Sequence, residues 1–313
     1  MQLTTPITIE KPPFGIGHRN KVMLIGSCFT ENIGNRLAYH GFNTLTNPCG
    51  IFYNPISIAQ CLDRTLEGNK IGESDLVFGG GLWHSWQHHG KFSHPDKAVC
   101  LQNCNNALHE AHDFLQHTDT LILTFGTAFV YSLSDGTVVA NCHKMPGTLF
   151  DKRMFSTEEL IICYNTLIDK LLEKLPNLRI ILTVSPIRHW KDGYRQNTLS
   201  KATLQLLANE LQQAHTNTTY FPAYEIVMDE LRDYRFYDTD LLHTSPTAVE
   251  YIWERFYDTY FDEPTKTLCQ KVAQWRKMSQ HRPLFPESAE YKAFTQKLKQ
   301  RELELKSELP DLQ

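Results

Sequence analysis

A short apolar run that ends on glycine and turns at once into a helical pattern constrains this chain more than any other feature. Residues 21–25 (KVMLI) are mostly apolar and partly β-branched, as a short buried strand requires. Gly26 breaks the run and Ser27 and Cys28 follow. Phe29, Ile33 and Leu37 then recur at roughly helical spacing, so a helix is expected from near Ser27 towards His40. That geometry sets Ser27 beside the positive end of a helix dipole, among backbone N–H groups with no helical partner. An attacking hydroxyl and a developing oxyanion are both stabilised in such a place. A serine that merely caps the helix fits there equally well.

A second stretch bears on that choice. Residues 238–246 (DTDLLHTSP) contain D-x-x-H just before a helix start, with Ser245 as cap and Pro246 in the first turn. One segment thereby offers a general base, His243, and a carboxylate, Asp240, three residues before it. A serine hydroxyl is a poor nucleophile until such a base takes its proton. The order Ser, Asp, His with the last two nearly adjacent differs from chymotrypsin and subtilisin. The G-x-S-x-G elbow of the α/β-hydrolases is missing too.

An early serine after the first strand with a late D-x-x-H resembles the SGNH (GDSL-like) hydrolases. More closely, residues 26–30 (GSCFT) resemble the motif of the GSCFA family, with Thr30 where that motif has Ala. Residues 47–55 (NPCGIFYNP), 125–128 (FGTA), 141–144 (NCHK) and 184–189 (VSPIRH) are similar to later blocks of the same family. The resemblance covers roughly residues 20–260. It implies a serine hydrolase in which Ser27 attacks an ester, His243 is the base and Asp240 orients it. It further implies small acyl groups, such as acetyl, on carbohydrate-type esters, and it implies no cofactor. In the SGNH pattern the nucleophile's own N–H, a glycine N–H and an asparagine side chain share the oxyanion. Ser27 and Gly50 are the counterparts of the first two. Ala128 stands where the asparagine would be, so either two backbone donors suffice or Thr127, Asn54 or Asn141 takes over, with Thr127 preferred because it follows the strand-end glycine. Thr127 could instead tie down its own loop. Two alternatives remain: a non-catalytic carbohydrate-binding module on the same fold, and an O-acyltransferase.

Strand-like runs at 120–124, 179–184 and 218–221 alternate with helical patterns at 55–67, 104–117, 157–175, 199–214 and 246–260. Such alternation predicts an α/β fold, a three-layer α/β/α sandwich around a mostly parallel sheet, over residues 1–262. In such sheets ligands bind beyond the carboxyl ends of the strands, which gathers Ser27, the loop after 124, Arg188, His189 and His243 at one edge. Residues 129–133 and 137–140 predict a hairpin. Residues 68–102 read as irregular, with a dense Trp and His segment at 82–93. Its Trp83, His84 and His88 could bind substrate beside Asn54, Asn141 and His143, or pack inward. Residues 263–313 predict a helical C-terminal extension, its last helix either solvated or packed across a homodimer.

The net charge of −4 and pI near 6.4 give no support for a nucleic-acid or acidic-membrane partner. No apolar run reaches the roughly 18 residues of a membrane span, and a basic-then-apolar leader is missing, so a cytoplasmic protein is expected. The eight cysteines carry no CxxC or zinc spacing, which predicts buried reduced thiols and no metal.

Overall fold

The computed structural model describes residues 4–282, 284–310 and 312. In chain order the elements are β1 (Lys21–Gly26), α1 (Cys28–Tyr39), β2 (Asn43–Thr46), α2 (Pro55–Glu67), β3 (Leu76–Gly79), β4 (Leu82–Ser85), α3 (Lys97–Leu115) and β5 (Thr120–Phe125). Then come β6 (Phe129–Ser132), β7 (Val138–Val139), β8 (Asp151–Met154), α4 (Thr157–Lys174), β9 (Arg179–Val184), α5 (Tyr194–Ala214) and β10 (Thr218–Tyr220). The short α6 (Ala223–Glu225) runs into a π-turn, and α7 (Pro246–Tyr260), α8 (Glu263–Ser279) and α9 (Ala289–Glu308) complete the chain.

The central sheet has the order β10-β9-β5-β1-β2 with every pairing parallel. Its three inner strands, β1, β5 and β9, are buried on both faces, and alternate residues part to opposite sides. Val22 and Leu24 join a buried cluster with Phe29, Ile33 and Leu37 of α1 and Ile252, Trp253 and Phe256 of α7. Met23 and Ile25 join the other cluster, built from α2, α3, α4 and α5 through residues such as Leu62, Leu108, Leu167 and Leu204. The expected three-layer α/β/α sandwich follows from this double burial.

Local chemistry sets the helix ends. Asn54 caps α2 through the Ser57 N–H, Pro55 opens it, and Gly68 closes it in the left-handed conformation. Ser156 and Glu159 form a reciprocal capping box on α4. Asp96 accepts from the N–H groups of Ala98 and Val99, so α3 starts at Lys97, ahead of the expected residue 104. Residues 68–102 are not merely irregular, because β3 and β4 pair as an antiparallel hairpin. Its turn residues Gly80 and Gly81 both have positive φ, as a tight two-residue hairpin turn demands. The expected hairpin at 129–140 gains a third strand, β8, on the far side of β6.

Helices α8 and α9 pair through Val272, Leu305 and Leu309, while Cys269 of α8 is part of the cluster under α1 and α7. Among the described residues no helix is long and apolar enough to cross a membrane.

Replacing a helical glycine by alanine ordinarily stabilises by about 1 kcal/mol. Gly34 in α1 is different, because a Cβ there would lie 2.2 Å from Thr46 Oγ1 and 2.8 Å from Thr46 Cγ2. Gly34→Ala should therefore destabilise by about 1–3 kcal/mol in urea denaturation, the usual cost of overpacking. A second substitution, Thr46→Ala, should recover most of that loss.

Candidate active site

Counted as parallel strands alone, the sheet runs in the order 2-1-3-4-5, and its connections diverge between β1 and β5. A crevice is expected just beyond the carboxyl ends of those two strands. A cleft of about 490 Å³ lies there, lined by Ser27, Asn54, Thr127, Arg188, His189 and His243 among others.

Ser27 follows β1 directly. Gly26 is required before it, since a Cβ at that position would come within 2.3 Å of the Thr124 carbonyl oxygen on β5. The Gly26 N–H donates to Asn47 Oδ1 at 2.9 Å, which fixes the turn. Ser27 Oγ accepts the Phe29 N–H at 3.3 Å, so the serine does cap α1. The cap and the nucleophile readings are thus compatible: the hydroxyl lines the cleft from the helix N-terminus. Cys28 lines the cleft as well, although helical spacing from Ser27 would turn it away. Burial raises its thiol pKa, which leaves it protonated and a weak nucleophile.

His243 reaches the cleft from the opposite side, on the turn before α7. Its Nδ1 lies 2.5 Å from Asp240 Oδ2, while Asp240 Oδ1 accepts the backbone N–H groups of Leu242 and His243, each at 2.9 Å. Those N–H bonds, with the imidazole contact next, hold the Asp240 carboxyl at about 2. Asp238 instead accepts the N–H of Thr239 and shapes the loop. The intervening Leu241 sits at φ +58°, an uncommon conformation for leucine that lets carboxylate and imidazole meet across so short a turn.

Two expected oxyanion donors are engaged elsewhere. The Gly50 N–H donates to Asn47 O at 2.8 Å, and Gly50 is not among the residues lining the cleft. Glycine is needed there for another reason: φ is +96°, and a Cβ would meet His89 Cβ at 2.0 Å. Thr127 lines the cleft, but its hydroxyl accepts the Phe129 N–H at 3.2 Å and pairs with Ser200 Oγ at 3.1 Å. Its N–H donates to Tyr53 O. Thr127 therefore ties down its own loop. Asn54 remains: Oδ1 takes the Ser57 N–H and Nδ2 gives one hydrogen to Ser57 Oγ, which leaves its second hydrogen unused.

The Trp and His segment packs inward. His84 bonds Ser93 Oγ and Gly79 O through its two ring nitrogens, and His88 is buried against Ser85 Oγ. His143 stacks on His84 and bonds Ser85 O. Trp83, His84, His88 and His143 thus lie outside the cleft, whereas Asn54, Asn141, Arg188 and His189, expected beside them, line it. Among the described residues no group of three or more His, Cys, Asp or Glu is arranged to hold a metal.

One site residue escaped the sequence reading altogether. Lys201 of α5 is fully buried, and its Nζ donates to Gly126 O and Ser185 O, each at 2.6 Å. It clamps the ends of β5 and β9 beneath the cleft. The signal was a lysine three residues before Leu204, on the helix stripe that continues through Leu207, Ala208 and Leu211. Burial first, then the Arg188 guanidinium, depresses its pKa to about 7. Burial, reinforced by the Lys201 charge, also lowers His189 to about 4, so that imidazole is neutral at physiological pH.

Between pH 7 and the ordinary lysine value of 10.5, the unfolded chain holds a proton that folded Lys201 releases. Stability must then rise with pH across that window, by up to about 1.4 kcal/mol per unit. Lys201→Met should flatten the rise, read as urea midpoints at pH 7, 8 and 9. A wild-type profile no steeper than the variant's would contradict a depressed lysine.

The GSCFA family model matches residues 21–256. No relative is found among curated proteins. Similar solved structures include a GDSL-like lipase candidate from Parabacteroides merdae, 12% identical with a TM-score of 0.41, covering 80% of this chain and 99% of that one. A family 3 carbohydrate esterase of Clostridium thermocellum is 14% identical with a TM-score of 0.33, over 81% and 98% of the two chains. A carbohydrate esterase family 3 protein of Talaromyces cellulolyticus is 11% identical with a TM-score of 0.34, over 82% and 99%. The family match runs unbroken from the strand before Ser27 to the helix after His243, and on that match the chain belongs to the GSCFA family.

Proposed function

We propose that this protein is a serine esterase working through an acyl-enzyme. The observation that carries the reading is that Ser27, at the N-terminus of α1, shares one cleft with His243, whose Nδ1 is held by Asp240. His243 takes the Ser27 proton as Oγ attacks the ester carbonyl, and then gives it to the departing alcohol. Water repeats the sequence on the acyl-enzyme. Asp240 keeps the imidazole in the tautomer whose Nε2 is free to accept, and stabilises the imidazolium that forms. The carbonyl oxygen, as it gains charge, is held by the Ser27 N–H, the α1 dipole and the free Nδ2 hydrogen of Asn54. The resemblance to SGNH hydrolases supports small acyl groups on carbohydrate-type alcohols, and acetyl esters are the substrates to try first. The reaction draws on no cofactor in this reading.

A fluorophosphonate probe should label the wild-type protein at Ser27. Ser27→Ala should lose labelling and cut ester turnover by several orders of magnitude, and His243→Ala nearly as far. Retention of more than about a tenth of wild-type turnover by Ser27→Ala would remove the assignment.

Asp240→Asn should lower kcat by at least about a hundredfold, because its carboxylate alone bonds the imidazole, whereas Asp238→Asn should cost only a few-fold. Asn54→Ala should reduce kcat by about a hundredfold or more with little change in KM, the mark of a bond made in the transition state. Equal losses in the two aspartate variants, or unchanged kcat in Asn54→Ala, would send these roles elsewhere.

A further inference from the structure

A second cavity of about 630 Å³ adjoins the catalytic cleft, and Arg188, Trp190 and Leu242 line both. Its other walls include Val227, Met228, Tyr234 and Tyr237, so it is largely apolar and aromatic. Asp240 and Leu242 line it too, which places it immediately behind the turn that carries His243. In an acyl-enzyme reaction the acyl group stays on Ser27 while the alcohol leaves past the general acid. Resting on that esterase reading, the adjoining cavity is where the alcohol part of the substrate belongs.

Arg188 stands at the passage between the two spaces. Its guanidinium lies 5.8 Å from the Trp190 ring centroid, and its Nε is buried without a hydrogen-bond partner. Among the described residues Arg188 forms no ion pair, and the two carboxylates that line this cavity are engaged elsewhere, Asp240 by His243 and Asp233 by Arg235. Arg188 also lowers the proton affinity of the buried Lys201, after the larger effect of burial itself. A half-buried cation with an orphaned donor is costly unless an anion completes it.

We infer that Arg188 is the docking group for a carboxylate on the alcohol part of the substrate, so the enzyme acts on esters of acidic alcohols. A planar carboxylate matches the guanidinium fork, and an apolar cavity beside it holds the carbon skeleton that bears the acid.

The test compares 4-acetoxybenzoate with its neutral methyl ester, two aryl acetates that differ only in a carboxylate on the leaving group. Wild-type protein should favour the anion in kcat/KM, and Arg188→Gln should lower the ratio of anionic to neutral kcat/KM by about 30-fold. Arg188→Lys should restore part of the ratio, since charge returns without the fork. Binding gives a readout free of turnover: in Ser27→Ala, calorimetry should show 4-hydroxybenzoate binding more tightly than methyl 4-hydroxybenzoate, with the difference lost when Arg188→Gln is added. A ratio that moves less than threefold, equal losses on both esters, or equal binding of the two phenols would overturn the inference. So would inorganic phosphate displacing 4-hydroxybenzoate at lower concentration than benzoate does. Fluorophosphonate labelling of the same preparations separates the two ideas. Labelling without carboxylate preference refutes the Arg188 subsite alone. Carboxylate-dependent binding without labelling refutes the esterase reading and leaves the subsite standing.

Discussion

The carbonyl of Tyr53 holds the cleft edge of this protein together. It accepts the N–H groups of both Gly126 and Thr127, at 2.8 and 2.9 Å, while the preceding Phe52 N–H donates to Gly26 O. Residues 52–53 thereby bridge the ends of β1 and β5, where the parallel sheet parts and no ladder bond can reach. Lys201 does the same from below for β5 and β9. The loops after β1, β5 and β9 are fixed through one another's backbone groups or through Lys201. The position of Ser27 thus depends on the whole edge and not on its own turn alone.

That mutual support explains why some motif residues serve the framework. Gly50 and Thr127 lie in blocks that resemble oxyanion-hole segments, yet their polar groups are engaged in keeping the loops closed. Asn54 was left over by the same logic: it caps α2, and capping consumes only part of an amide that carries two hydrogens and two lone pairs. A capping residue at a helix N-terminus that also borders a cleft is already oriented, so little further ordering is needed for it to meet a developing charge.

The sheet, its parallel sense and most helix ends were legible in the sequence because buried parallel strands are short continuous apolar runs, and caps such as Asn54, Ser156 and Ser245 are local signals. Ser27, Asp240 and His243 stood out in the sequence because few chemistries need a strand-end serine together with D-x-x-H, and the structure brings Ser27 and His243 to one cleft with Asp240 on the imidazole. What stayed hidden was decided over long sequence separations. His84 and His143 stack across 59 residues and leave the site for the framework. Lys201 meets Gly126 and Ser185 only after α5 has docked. The hairpin of β3 and β4 was masked because its glycine turn reads in one dimension as a lack of structure. Whether a donor is free depends on its neighbours in space, and residue type says little about that.

The lid of α7 over β1 bears on how the chain is made. Val22, Leu24 and Phe29 are sealed by Ile252, Trp253 and Phe256, and the N-terminal arm is pinned by the Ile16 N–H to Tyr260 O and by Arg255 to Ile7 O. More than two hundred residues separate the two halves of that seal. At ordinary ribosomal speeds of about 5–20 residues per second, one apolar face of the first strand waits on the order of ten to forty seconds for its cover. During synthesis the sheet is therefore one-sided. The same late helix that follows His243 ends the nascent chain's exposure to aggregation, so completion of the cleft and escape from the sticky intermediate arrive in a single docking event.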